Sequence, residues 1–414
     1  MLRSFVVADG VDGYQTMPGA LSMVAGTTEE SDISIARGAR SKDTWVISDG
    51  AVNEFTLLPS AAEPIELTRG GGDLPSRVAD NFFWLGRYAE RAEGIARLAR
   101  VISLRLADRG RRSFANDLVP LVAALLAQTQ VASGAELAAG STVVGAVDAQ
   151  LMMRDALFDA KHPGTLRATV HAIDRVARSV RDRISMDSWS VVVALLNELG
   201  EGERWAADEP LLVLGARLDR SIMILTALAG FTSESMTREE TWRFLDMGRR
   251  LERALNTALV IEQTLTSADE DDVPLLEALL DAADSAMTYR RRYRATLQVP
   301  PVADLLIADE RNPRSIMFQL VALADHVAAL PRDTTKARRT PETRLAFEAL
   351  SAFRLVDIET VCARKEGGVP ARPALSALLR GLVHSLQSLS DALSGSYLAP
   401  ATVSRSLASP GIVR

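Results

Sequence analysis

Cysteine is almost missing from this chain: Cys362 stands alone. That excludes an internal disulfide and any metal site built from several thiolates, and it fits a reducing cytoplasm. Aromatic residues are scarce, at 5%. Neither sign of charge dominates, since 47 Lys and Arg stand against 53 Asp and Glu for a net −6. Such a balance gives no global attraction to nucleic acid or to an anionic membrane, and no nucleic-acid recognition motif occurs. Long hydrophobic runs are lacking too. The most apolar stretch, Ile222 to Phe231, is about half of the roughly 20 residues a membrane helix needs, and it reads as a buried helix. The N-terminus has no signal-peptide core, because Asp9 and Asp12 interrupt it.

The usual marks of catalysis are equally thin. No P-loop, dinucleotide fingerprint after a strand, or HExxH is present. The four histidines, His162, His171, His326 and His384, are far apart and show no metal-ligand spacing. His326, next to Asp325, reads as a core or cap residue, and Cys362 as a small buried hydrophobe.

What remains is a 414-residue chain with 47% hydrophobic and 24% charged residues, rich in Ala, Leu and Arg, as packed helices require. Residues 1–60 differ in kind. Phe5-Val6-Val7 and Thr44-Trp45-Val46-Ile47 are short β-type runs, with turn signals at Asp9-Gly10, Asp12-Gly13 and Pro18-Gly19. A few strands cannot stand as a domain. Residues 61–75, with Gly70 to Gly72, read as a linker. From Ser76 the period is helical. Further helices are expected near 116–132, 142–157, 164–185, 187–199, 209–230, 272–298, 314–330, 341–363 and 372–395. The expected fold is all-α: a multi-helix bundle with an internal duplication behind a short N-terminal β-containing segment, and a tail over 399–414.

The duplication shows in two octapeptides. Leu85 to Ala92 reads LGRYAERA and Met247 to Ala254 reads MGRRLERA, 162 positions apart. Apolar stripes continue each: Leu85, Ala89, Ala92, Ala96 and Ala99, then Met247, Leu251, Ala254, Ala258 and Ile261. His162-Pro163-Gly164-Thr165 and Asn312-Pro313-Arg314-Ser315 form a second match, offset by 150, each opening a helix with Pro in its first turn. Repeat units over about 77–200 and 209–330 follow, with C-terminal helices over 341–395.

On a helical wheel Arg87, Glu90 and Arg91 oppose the apolar stripe beside Phe83 and Trp84, and Arg249, Glu252 and Arg253 repeat that face. Gly86 and Gly248 each cost a helix about 1 kcal/mol against Ala, which makes sense if another backbone approaches closely. Two readings are open. The charges form an internal ion-pair network, or the guanidinium groups present an anion site with the glutamates orienting them or acting as base. Tyr289-Arg290-Arg291-Arg292-Tyr293-Arg294 is the other dense cluster, either a solvated basic face or a contact for an acidic partner.

SRVADNFFWLGRYAERAEGIARL, WRFLDMGRRLERA, TYRRRY and LLIADERNPRSIMFQL, in this order, resemble the bacterial alpha-E domain over roughly Leu74 to Leu398. LFDAKHPGTL, VARSVRDRIS and LSDALSGSYL fit as well, with His162 where Asn would be expected. LRSFVVADGVDGYQTMPGALSMVA and ARGARSKDTWVISDG resemble the final segment of a circularly permuted ATP-grasp domain, with Pro18-Gly19-Ala20-Leu21 in place of PGGL. This second resemblance implies a C-terminal ATP-grasp fragment over 1–60, whose nucleotide pocket and magnesium carboxylates would lie upstream of Met1. Arg37, Lys42 and Asp43 are then the remnants expected to face that pocket, and ATP and magnesium are expected only with the missing portion.

The resemblances also imply a setting, because alpha-E domains accompany ATP-grasp amide-forming ligases and transglutaminase-like proteins. The expectation is an accessory module of an amidoligase system in peptide synthesis or protein modification. It would bind an acidic peptide, an amino acid or a partner enzyme through Arg87, Arg91, Arg249, Arg253, Tyr289, Arg291, Arg292 and Arg314. One alternative is a hydrolase-like enzyme with Glu90 or Glu252 as general base; another is a purely structural assembly module. No metal is expected.

Overall fold

The computed structural model describes residues 2–9, 13–24, 40–47, 50, 74–108, 115–131, 146–159, 162–199, 210–269, 272–331, 339–365 and 370–398. The chain divides into two compact units, 1–72 and 73–414. The linker glycines Gly70 to Gly72 and the tail over 399–414 lie outside the described residues.

In the first unit, β1 (Leu2–Asp9), β2 (Gly13–Val24) and β3 (Arg40–Thr44) form an antiparallel sheet in the order β1-β2-β3. Pro18-Gly19 is no turn between strands. It lies inside β2, where the register with β1 shifts between Ser4 and Val6. A bulge tolerates the missing proline donor and the extra residues there. The run at Thr44 to Ile47 is strand only at its first residue, and Trp45 and Ile47 stand exposed.

The second unit is helical: α1 (Ser76–Ala107), α2 (Ala115–Thr129), α3 (Ala146–Phe158), α4 (Leu166–Ser179), α5 (Met186–Leu199), α6 (Leu211–Ser235), α7 (Glu240–Thr264), α8 (Val273–Ala282), α9 (Ala286–Tyr293), α10 (Val299–Ala303), α11 (Ile316–Ala328), α12 (Pro341–Arg354), α13 (Ile358–Cys362) and α14 (Pro373–Leu393). Two single π-turns, Asp304–Ala308 and Ser394–Leu398, extend α10 and α14. The expected helix over 272–298 is two helices, because Asp284 adopts φ 51° and the Ser285 amide closes back on Leu280 O at 2.8 Å. Aspartate tolerates this left-handed conformation better than most residues. The expected helix over 341–363 likewise breaks, and Asp357 caps α13 through the Glu359 amide.

α1 and α7 are the axial helices. α1 packs against α4 and α6, and α7 against α11 and α14; α5 bridges α4 and α6 as α12 bridges α11 and α14. Two matching sets result, α1 with α4, α5 and α6, and α7 with α11, α12 and α14, and α6 and α14 begin 162 residues apart, the spacing of the octapeptides. The cap loops repeat as well. The Thr165 hydroxyl accepts from the Ala168 amide at 3.3 Å and donates to Asp159 O; the Ser315 hydroxyl accepts from the Phe318 amide at 3.0 Å and donates to Asp309 O. Each satisfies a helix N-terminus that would otherwise lack a partner.

Candidate functional site

The axial helices run side by side in the same direction and touch at their glycines. A Cβ on Gly86 would stand 2.1 Å from Leu245 O, and one on Gly248 would stand 2.1 Å from Phe83 O. Only a residue without a side chain lets the backbones meet so closely. That contact fixes how the polar faces register.

Arg87 Nε donates to Glu252 Oε2 at 2.7 Å, and Arg91 Nε to Glu252 Oε1 at 2.6 Å. Reciprocally, Arg253 forks onto Glu90, with Nη2 to Oε2 at 2.8 Å, and Arg249 lies 3.8 Å from Glu90 Oε2. Both glutamates are buried. Burial would raise the Glu252 carboxyl, but Arg87 and Arg91 outweigh it and hold it below the usual range. Arg253 is raised, because Glu90 more than offsets its burial. Aromatic rings back the cluster: the Arg87 guanidinium lies 4.8 Å from the Trp84 ring centre, and Arg91 5.9 Å from Tyr88. Arg87 also reaches Ser390 of α14 at 3.1 Å.

The network extends to groups the sequence reading did not single out. Glu93 Oε1 accepts from Arg97 Nε and from Arg314 Nη2, both at 2.8 Å. Burial alone would raise Glu93, yet Arg314, Arg253 and Arg97 pull it down to about 2. Asp246 Oδ2 meets His326 Nε2 at 2.8 Å and Arg250 Nε at 3.0 Å. His326 is thus a buried partner of Asp246 rather than of its neighbour Asp325. The i,i+4 spacings Glu93/Arg97 and Asp246/Arg250 were a usable signal; the separation of His326 from Asp246 carried none.

Arg314 joins this cluster, whereas Tyr289, Arg291 and Arg292 do not. Tyr289 is buried and donates to Thr296 O at 3.1 Å. Arg292 pairs with Asp309 at 2.7 Å, and Arg291 is exposed. Lys42 and Asp43 are exposed neighbours on β3, so strand alternation sends them to opposite faces of the sheet. Arg37 lies outside the described residues.

Beside the network opens a small recess, lined by Glu90, Arg97, Arg253 and Arg314 on its polar side, with Gln128 and Asn256. Leu98, Val260, Leu279 and Leu306 supply apolar wall. Across the network Arg87, Arg91, Arg97, Arg249, Arg250, Arg253 and Arg314 face Glu90, Glu93, Asp246 and Glu252, so guanidinium groups outnumber buried carboxylates. Burial and the nearby Arg253 push Arg314 below the usual arginine value. Among the described residues no group of three His, Cys, Asp or Glu side chains is placed to hold a metal, and no helix is long and apolar enough to cross a membrane.

An uncharacterised protein of Mycobacterium bovis is 30% identical over 410 residues, covering 96% of this chain and 45% of the relative. An uncharacterised protein of Mycobacterium tuberculosis strain H37Rv is 29% identical over the same length and shares. The chain therefore spans less than half the length of the curated relatives it matches. No solved structure matches. The alpha-E family profile, described as "a predicted alpha-helical domain with a conserved ER motif", matches residues 74–398. The axial helices carry that dipeptide as Glu90-Arg91 and Glu252-Arg253, in the reciprocal pairs just described. The chain belongs to the alpha-E family.

Proposed function

We propose that this chain is an accessory helical module of an ATP-grasp amidoligase system, which holds an acidic substrate or partner at its arginine cluster. The observation that carries this reading is the excess of guanidinium groups over buried carboxylates beside an open recess. An amide-forming ligase needs its carboxylate substrate held in place, and arginine does this through paired N–H donors. The longer relatives leave room for the ligase portion in the same polypeptide, or a separate chain supplies it; a transglutaminase-like protein is a further partner of this setting. The N-terminal sheet supports such a partner, because Phe5, Val7, Tyr14 and Trp45 are exposed and offer apolar surface for another chain to cover.

The hydrolase-like alternative has less support. Glu252 is locked between two guanidinium groups that hold its carboxyl low, the opposite of what a general base needs. The structural alternative draws on a specific observation, the reciprocal pairing across the glycine contact. One titration separates the readings: a Glu-rich peptide into the full chain and into its Arg314→Gln variant, both checked by melting curves. Weaker binding by the folded variant supports the acidic-ligand reading. Equal binding, or none to either protein, leaves the network as packing alone.

A further inference from the structure

Two buried amides line the recess with nothing to bond. Gln128 Oε1 and Asn256 Nδ2 have no hydrogen-bond partner among the described residues, although Gln128 is 7% exposed and Asn256 9%. Leaving such atoms unpaired costs about 1–3 kcal/mol each, and native interiors rarely keep them so. One is an acceptor and the other a donor, and they sit on different helices, α2 and α7. Gly94 is the α1 counterpart of Asn256 at the 162-residue offset. A Cβ there would come within 2.9 Å of Asn256 Nδ2, so the missing side chain keeps that amide clear.

Charge points the same way. Arg97, Arg253 and Arg314 line this space or its edge, and Glu90 and Glu93 are their buried counterions. Asp284 also approaches Arg97 and Arg314, at 3.4 and 3.9 Å, but it is 63% exposed and screened by water. Arg314 donates through Nη2 alone, so its other guanidinium N–H groups are unused among the described residues.

We infer that the recess binds a small carboxylate carrying an adjacent N–H group and a short aliphatic side chain, the chemistry of a peptide's carboxyl-terminal residue or of a free aliphatic amino acid. The carboxylate takes the unused N–H groups of Arg314 and balances the excess positive charge. The N–H donates to Gln128 Oε1, a ligand oxygen accepts from Asn256 Nδ2, and the aliphatic group lies on Leu98, Val260, Leu279 and Leu306. This inference rests on the reading of the arginine cluster as an acidic-ligand site and narrows it to one end group.

The test is calorimetric titration of the full chain with N-acetyl-L-valine, L-valine and N-acetyl-L-valinamide, repeated on Gln128→Leu and Asn256→Leu. The carboxylates bind, and the valinamide binds at least about tenfold more weakly, the loss of one charged hydrogen bond. Each leucine variant loses a similar factor while melting at or above the parent temperature, because it removes an unpaired amide. Tighter binding of N-acetyl-L-valine assigns the site to a peptide end, and tighter binding of L-valine to the free amino acid. Unchanged affinity in both leucine variants, or no binding of either carboxylate at millimolar concentration, overturns the inference. If the Glu-rich peptide still binds in an Arg314-dependent way, only this end-group site falls and the broader reading stands. If N-acetyl-L-valine binds but Arg314→Gln leaves the Glu-rich peptide unaffected, the end-group site stands and only the binding of acidic side chains falls.

Discussion

His326 Nε2 lies 2.8 Å from Asp246 Oδ2 and ties α11 to α7 across 80 positions of sequence. Arg250 donates to the same oxygen. Burial would raise this carboxyl, but the His326 bond and Arg250 hold it well below the usual aspartate value. Glu93 behaves alike, falling from 4.5 to about 2. The unfolded chain therefore takes up these protons at a higher pH than the folded one. The stability they contribute is complete above the unfolded values and disappears as pH drops through the folded ones. Melting temperatures followed by circular dichroism should fall between pH 4.5 and about 2, and Asp246→Asn with Glu93→Gln should flatten that limb at the expense of stability at neutral pH.

Gly86→Ala or Gly248→Ala drives a methyl group into a backbone carbonyl 2.1 Å away. Each should cost at least about 1–3 kcal/mol, and the pair less than the sum because both open the same contact. Gly230→Ala and Gly381→Ala, in α6 and α14, meet nothing within 4 Å and should stabilise by about 0.4–1 kcal/mol. Urea melts of the four variants check the contrast.

Removing Glu252 leaves Arg87 and Arg91 without their buried counterion. Glu252→Leu should cost about 3–5 kcal/mol. Adding Arg87→Met and Arg91→Met should recover a large part of it, since the penalty is an unpaired charge and not lost packing. Failure of the triple variant to recover would mean that the arginines have other partners of equal weight.

Burial pushes the Cys362 thiol up to about 11, and the residue is 5% exposed. Alkylation at pH 8 should therefore be slow in the native protein and rise sharply at the denaturant midpoint, because the thiolate is the reacting form.

The helical class, the repeat and the glycine contact were legible in sequence because each leaves a local trace: a 3.6-residue stripe, an octapeptide written twice, a glycine where a helix prefers alanine. Breaks at Asp284 and Leu355 were not, since aspartate and leucine carry no compulsory turn signal and the helical period continues past them. The same limit applies at the site. Arg87, Glu90, Arg249 and Glu252 announce themselves through the repeat. Gln128, Asn256 and His326 matter only through the helices the fold brings to them. Tyr289 shows the converse, a conspicuous motif residue whose hydroxyl closes a local turn on Thr296.

The reciprocal pairs carry a consequence for how such a protein arose. Glu252 answers arginines of α1, and Glu90 answers arginines of α7, so each of these two glutamates is neutralised by the opposite half. A lone ancestral half would have had to meet a second copy of itself, glycine on glycine, in a parallel homodimer about a twofold axis. Joining the copies in one chain freed each to diverge. Gly164 and Arg314, at equivalent places in the two cap loops, record that divergence: one copy closed its loop, and the other gained a cation.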